Sequence, residues 1–201
     1  MAEITSEQVK KLRAKTGAGM MDCKRALEET AGNEEAAIEY LRKKGAAVAA
    51  KRADKETNQG IVEAYIHAGG RIGTMVELNC ETDFVAKTQD FKELAHDIAM
   101  QIAAMNPFFI KKEDVDQETL QKEIEIYKTQ AINEGKPVHI AEKIAQGRLD
   151  KFYQEVCLLE QSFIKDSGKT IKDLLDEATG KVGEKISVRR FQRFHLGEYL
   201  K

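Results

Sequence analysis

Apolar positions follow a helical period through the N-terminal part of the chain. Thr5-x-x-Gln8 has the form of a capping box, each side chain serving the other residue's free backbone N–H, and Val9 and Leu12 follow on one stripe. Gly17-Ala18-Gly19 breaks the pattern. A second helix is predicted from about Met20 to Thr30, with Cys23, Ala26 and Leu27 on one face. Gly32-Asn33 interrupts again; Asn33 suits the cap of a third helix, which Ala37, Ile38 and Leu41 turn inward and Gly45 is expected to end. Three short helices make a small bundle with few large apolar residues and modest stability alone. Ala46 to Asn58, rich in alanine and charge, reads as a helical tail or linker. The expected boundary lies there, between a helical domain of residues 1–54 and a core domain of residues 55–201.

The period then changes to two. Val62, Ala64, Ile66 and Ala68 alternate, Gly69-Gly70 follows, and Ile72, Thr74, Val76 and Leu78 alternate, which predicts a tight hairpin. Helical spacing returns over about Gln89 to Met105, through Phe91, Leu94, Ala95, Ile98 and Ile102, and Pro107 closes it. Further helices are predicted over Asp116 to Glu134 and His139 to Cys157. A shorter one is capped by Thr170 and ended by Gly180. Lys185 to Leu196 is a third strand, in which Phe191 falls out of phase with Ile186 and Val188, as at a bulge or in a strand buried in part on both faces. The fold class is α+β: an N-terminal three-helix bundle, then a three-stranded antiparallel sheet packed with helices.

Charge narrows the function. A formal net charge of −2 lacks the basic excess usual in nucleic-acid binders. Cys23, Cys80 and Cys157 are far apart and form no C-x-x-C, so buried thiols in a reducing compartment are expected rather than disulfides. Neither a signal-peptide pattern at the start nor a membrane-length apolar run is seen, so the expected location is cytoplasmic, with no membrane partner.

Catalytic patterns fail on spacing. Gly168-Lys169-Thr170 ends like a phosphate-binding loop, but the position where the first glycine belongs is Phe163. The four histidines, His67, His96, His139 and His195, have no metal-ligand spacing, and no serine sits in a G-x-S-x-G turn. No metal, cofactor, direct nucleotide binding or catalytic residue is expected. Arg189-Arg190-Phe191-Gln192-Arg193-Phe194 interleaves arginine with aromatics, so an RNA-binding, ribosome-associated protein is the alternative reading.

At the end of the second strand stands Glu77-Leu78-Asn79-Cys80-Glu81-Thr82-Asp83-Phe84-Val85-Ala86-Lys87. Read from residues alone, Phe84 is either a staple packing the loop onto the next helix or an apolar wedge, and Asp83 helps to start that helix. The run from Asn79 to Lys87 closely resembles the signature of elongation factor Ts. So does Thr16-Gly17-Ala18-Gly19-Met20-Met21-Asp22-Cys23-Lys24-Arg25-Ala26-Leu27. A third stretch, Ala141 to Leu175, is similar through Gly147-Arg148 and Glu155 to Gln161.

The resemblance implies a guanine-nucleotide exchange factor that binds elongation factor Tu, GDP-bound and nucleotide-free, with no covalent chemistry. It implies that Thr82, Asp83, Phe84 and Val85 intrude on the GTPase and dislodge its Mg²⁺, with Phe84 as the wedge and Asp83 holding the loop or bonding partner backbone rather than ligating the ion. It also implies that the N-terminal bundle is ubiquitin-associated-like and that Met20, Met21 and Lys24 make a second contact. Longer members duplicate the core, whereas short ones resembling this chain work as homodimers, two copies with two GTPases. One small sheet also leaves apolar surface to cover, which favours a dimer.

Overall fold

The computed structural model describes residues 4–198. Over these the chain divides into two compact units. The first runs to Val62 and resumes over Glu77–Ala95 and Asp173–Arg189; the second comprises Glu63–Val76, His96–Lys172 and the residues from Arg190 onward. Both are mixtures of helix and strand, as the α+β reading expects.

In the first unit, helices α1 (Ser6–Thr16), α2 (Met20–Glu29) and α3 (Glu34–Lys51) form the bundle. The capping box is present: Thr5 accepts from the Gln8 N–H at 3.2 Å, and Gln8 accepts from the Thr5 N–H at 2.8 Å. Asn33 caps α3 through the Ala36 N–H at 3.0 Å. Val9, Leu12, Cys23, Ala26, Leu27 and Ala37 form the buried core, close to the predicted set.

Two glycines depart from their predicted roles. Gly45 lies inside α3, which continues to Lys51, and Gly180 lies inside helix α8 (Ile171–Val182) rather than at its end. The cause is a close crossing of the two backbones. A Cβ on Gly180 would stand 2.7 Å from the Gly45 Cα, and a Cβ on Gly45 would stand 3.1 Å from the Asp176 carbonyl oxygen. Glycine's helix penalty, about 1 kcal/mol, is outweighed by the packing that only glycine permits. Arg42 strengthens the crossing, with Asp173 at 3.3 Å and Glu177 at 3.8 Å. Gly180→Ala is therefore expected to destabilise the protein by roughly 1–3 kcal/mol through overpacking. Elsewhere in a helix this exchange would stabilise, so chemical denaturation reads the sign directly.

Strands β1 (Gln59–Ile66), β2 (Ile72–Cys80) and β5 (Ser187–His195) form an antiparallel sheet in the order β1-β2-β5. Its hairpin is wider than predicted. The His67 N–H donates to the Ile72 oxygen at 2.9 Å and the Gly70 N–H to the His67 oxygen at 2.9 Å, which leaves Ala68 in the turn rather than the strand. Both turn glycines have positive φ, 89° and 67°. Along β2, Thr74, Val76 and Leu78 are buried on one face, while the other face is open at Met75, half-covered at Glu77 and buried at Asn79. In β5 the buried and half-buried positions shift phase between Val188 and Phe191, where the sequence places its irregularity.

A short helix α4 (Asp83–Ala86) follows β2, and α5 (Gln89–Met105) spans its predicted range. In the second unit, Thr74 donates to the Ala99 carbonyl at 2.9 Å, tying strand to helix. Helices α6 (Gln117–Asn133) and α7 (Val138–Val156) pack on each other as a hairpin, with Arg148 reaching Gln130 at 2.8 Å. Val115, Phe152 and Cys157 form the buried cluster near its base.

Strands β3 (Ser162–Phe163) and β4 (Asp166–Thr170) make a second, antiparallel hairpin that periodicity does not predict. It is anchored by buried Gln101, which donates to the Gln161 side chain at 3.2 Å and the Ser162 carbonyl at 3.1 Å, and accepts from the Ile164 N–H at 2.9 Å. Gly168-Lys169-Thr170 thus lies in a strand and not in a phosphate-cradling loop.

Candidate functional site

The turn from β2 into α5 carries Thr82, Asp83, Phe84 and Val85, all within the first unit. Helix α4 is one turn long, too short to hold its shape by its own hydrogen bonds. Thr82 is its N-cap but makes no side-chain cap bond. Support comes from outside. The Glu184 carboxylate accepts from the Thr82 N–H at 3.0 Å and from the Thr82 hydroxyl at 2.7 Å. The Cys80 thiol donates to the Thr82 carbonyl at 3.1 Å. Burial first, and the Glu184 charge second, push that thiol's pKa up, so Cys80 acts as a neutral donor.

Phe84 rides on this braced turn with 80% of its surface exposed. It is not a staple: no core packing covers it, and the loop is held by its polar neighbours instead. Val85 is half-buried and Ala86 buried, so the apolar anchoring of the turn falls one and two residues beyond Phe84. Asp83 pairs with Lys87 at 2.5 Å, one turn on; that ammonium holds its carboxyl below the ordinary range.

Glu81 completes the base. It takes the Arg52 guanidinium at 2.7 and 2.8 Å and the Lys185 N–H at 2.6 Å. The Lys185 N–H, with Arg52 after it, holds the Glu81 carboxyl below the usual range. A carboxyl whose pKa is lower in the folded state stabilises that state above its unfolded pKa, and the effect is lost as pH falls through the folded value. Glu81→Gln is accordingly expected to lower Tm at neutral pH, the gap to wild type narrowing below about pH 4. Thermal melts from pH 7 to pH 3.5 test this; a pH-independent gap contradicts it.

Met20, Met21 and Lys24 lie on the first turns of α2, also in the first unit but on a separate element from the Thr82–Val85 turn. Both methionines are exposed, not part of the bundle core that methionines at a helix start usually join. Lys24 is exposed and 3.8 Å from Glu28. The arginines of the Arg189–Arg193 run are engaged. Arg189 faces Glu77 at 3.6 Å, and Arg193 donates to the Ala103 carbonyl at 3.2 Å and faces Glu198 at 3.5 Å. Cys23, Cys80 and Cys157 are all buried with free thiols, and burial pushes Cys157 up to about 11.

Sequence reading missed Arg52, Glu81, Glu184 and Lys185. Arg52 and Lys185 each lie well over twenty residues from Glu81, and Glu184 lies 102 positions from Thr82. Only Gly183, with φ of 74°, marks the approach to Glu184 as a helix stop.

Phe84 thus stands exposed on a braced turn, and no cluster of metal-ligating side chains is found among the described residues. Comparison with known proteins gives the family. A family model described as elongation factor TS matches residues 2–198. The chain is 62% identical over 197 residues to elongation factor Ts of Carboxydothermus hydrogenoformans, covering 98% of this chain and 91% of that one. It is 59% identical over 200 residues to that of Desulforamulus reducens, covering 100% and 92%. For Moorella thermoacetica the figures are 61% over 195 residues, covering 97% and 96%. The chain belongs to the elongation factor Ts family, and its role is that of a translation elongation factor. Among the described residues no helix is long and apolar enough to cross a membrane.

Proposed function

We propose that this chain is the cytoplasmic guanine-nucleotide exchange factor for elongation factor Tu, binding its GDP-bound form, dislodging Mg²⁺ and releasing GDP so that GTP enters. The observation that supports this most is Phe84: a large apolar side chain left in water on a turn held rigid by charged hydrogen bonds. Leaving a phenylalanine exposed forgoes its burial energy, and a preformed wedge costs little entropy to insert. Mg²⁺ demands near-ideal octahedral geometry, so a small displacement of its surroundings weakens both ion and nucleotide. Asp83 holds the turn through Lys87 and does not ligate the ion.

Met20, Met21 and Lys24 supply a second contact, offering flexible apolar surface beside a charge. Residues 1–54 act as the ubiquitin-associated-like domain and residues 55–201 as the core domain. The working assembly is a homodimer with two partner GTPases, formed through the open sheet face that carries Ile66, Met75 and Phe194. No covalent bond is made or broken.

Linkage gives the test. A protein that loosens GDP must bind nucleotide-free elongation factor Tu more tightly than the GDP complex, by the same factor. Calorimetric titration of both forms is expected to show at least a tenfold difference, about 1.4 kcal/mol. Equal affinities contradict the proposal.

A further inference from the structure

The carboxylates around Thr82 form a reciprocal brace between two adjacent pairs of residues. Glu81 accepts from the Lys185 N–H at 2.6 Å, and Glu184 accepts from the Thr82 N–H at 3.0 Å. Each pair thus lends the other a carboxylate acceptor for one backbone N–H. Glu184 adds a second bond, from the Thr82 hydroxyl at 2.7 Å. The second pair is itself fixed. Gly183 ends α8 by donating to the Thr179 carbonyl at 2.8 Å. The Lys185 ammonium donates to the Ala53 and Lys55 carbonyls at 2.5 and 3.0 Å, and buried Ile186 donates its N–H to Thr179 Oγ1 at 3.2 Å. Glu184 therefore projects from a hydrogen-bonded support onto Thr82, the N-cap residue of α4.

We propose that Glu184 is a positioning residue for nucleotide exchange: by gripping Thr82 at both N–H and hydroxyl, it fixes the orientation of Phe84 before the partner arrives. The inference rests on the exchange reading above and deepens it, by assigning the bracing of the turn to one residue. Helix α4 has too few internal bonds to define its own direction, and its cap residue spends its hydroxyl on Glu184 rather than on the helix. Without Glu184 the Thr82 N–H and hydroxyl turn to water, and Phe84 must be ordered during insertion. The loss falls on the step that follows encounter. Contacts made elsewhere, through Met20 and Met21, still form the first complex.

The experiment is release of fluorescent GDP from elongation factor Tu in excess Mg²⁺, over a range of factor concentrations. It compares wild type, Glu184→Ala, Glu184→Gln, Thr82→Val, and Phe84→Ala with and without Glu184→Ala. Glu184→Ala is expected to lower the maximal release rate about tenfold or more, while the half-saturating concentration moves less than about twofold. Glu184→Gln keeps an acceptor oxygen and recovers part of the rate. Adding Glu184→Ala to Phe84→Ala costs nothing further, because a misplaced wedge and a missing wedge are the same defect. Amide hydrogen exchange in the free protein is expected to quicken at Thr82 to Lys87 in Glu184→Ala and stay unchanged in the α1–α2 bundle. If Glu184→Ala does not fold, Thr82→Val removes the hydroxyl bond alone and is expected to act in the same direction. Wild-type release rates in a folded Glu184→Ala, or effects that multiply with Phe84→Ala, overturn the proposal alone. Failure of the wild-type protein to accelerate release overturns the exchange reading and this proposal with it.

Discussion

Phe84→Ala is expected to reduce the acceleration of GDP release roughly thirty- to a thousand-fold, the range for truncating an aromatic anchor at the centre of an interface. The same substitution leaves the fold intact. The side chain is 80% exposed, so its removal opens no cavity, and the stability change stays within about 0.5 kcal/mol. Loss of activity without loss of stability separates a contact residue from a core residue. The bracing of the turn makes the forecast sharp, since Glu184, Cys80 and the Asp83–Lys87 pair hold Thr82 and Asp83 whether or not Phe84 is present. Stopped-flow release alongside thermal melts checks both halves. A stable variant with undiminished acceleration would place the exchange mechanism elsewhere, with the α2 methionines next to be tested.

Converting the open sheet face to charge is expected to produce monomers. Ile66 and Phe194 are 67% and 59% exposed on the two outer strands, β1 and β5, with Met75 exposed on the central strand. In a two-fold interface each substitution occurs twice, so a buried aspartate is opposed by its own copy or by apolar surface. Ile66→Asp with Phe194→Asp is expected to weaken self-association roughly a hundred- to ten-thousand-fold. Sedimentation across a concentration series reads the change. A dimer unaffected by the double variant would move the interface off this face.

The helices and strands were legible in the sequence where burial is periodic. The stripes of α1, α2, α5 and α6, and the alternation of β2, come from burying one face of each element, and that constraint writes itself into the residues. In β1 the alternation marks the other side: Val62, Ala64 and Ile66 are exposed, while Ile61, Glu63 and Tyr65 between them are half-buried. Gly45 and Gly180 misled because glycine has two uses. It ends helices by adopting positive φ, and it lets backbones touch; local sequence does not say which is in force. The β3–β4 hairpin was invisible because its strands have two and five residues, with little alternation, and its anchor is a buried glutamine on a distant helix. For the site, the motif pointed to the turn, but not to the exposure of Phe84 or to Glu184 beneath it. Both are tertiary facts, set by where α8 delivers the chain.

The most direct test of the central claim is the rate at which labelled GDP leaves elongation factor Tu in excess Mg²⁺ when the folded wild-type protein is added. A strong acceleration that saturates with factor concentration is the predicted result. An unchanged rate with the cognate partner would contradict it.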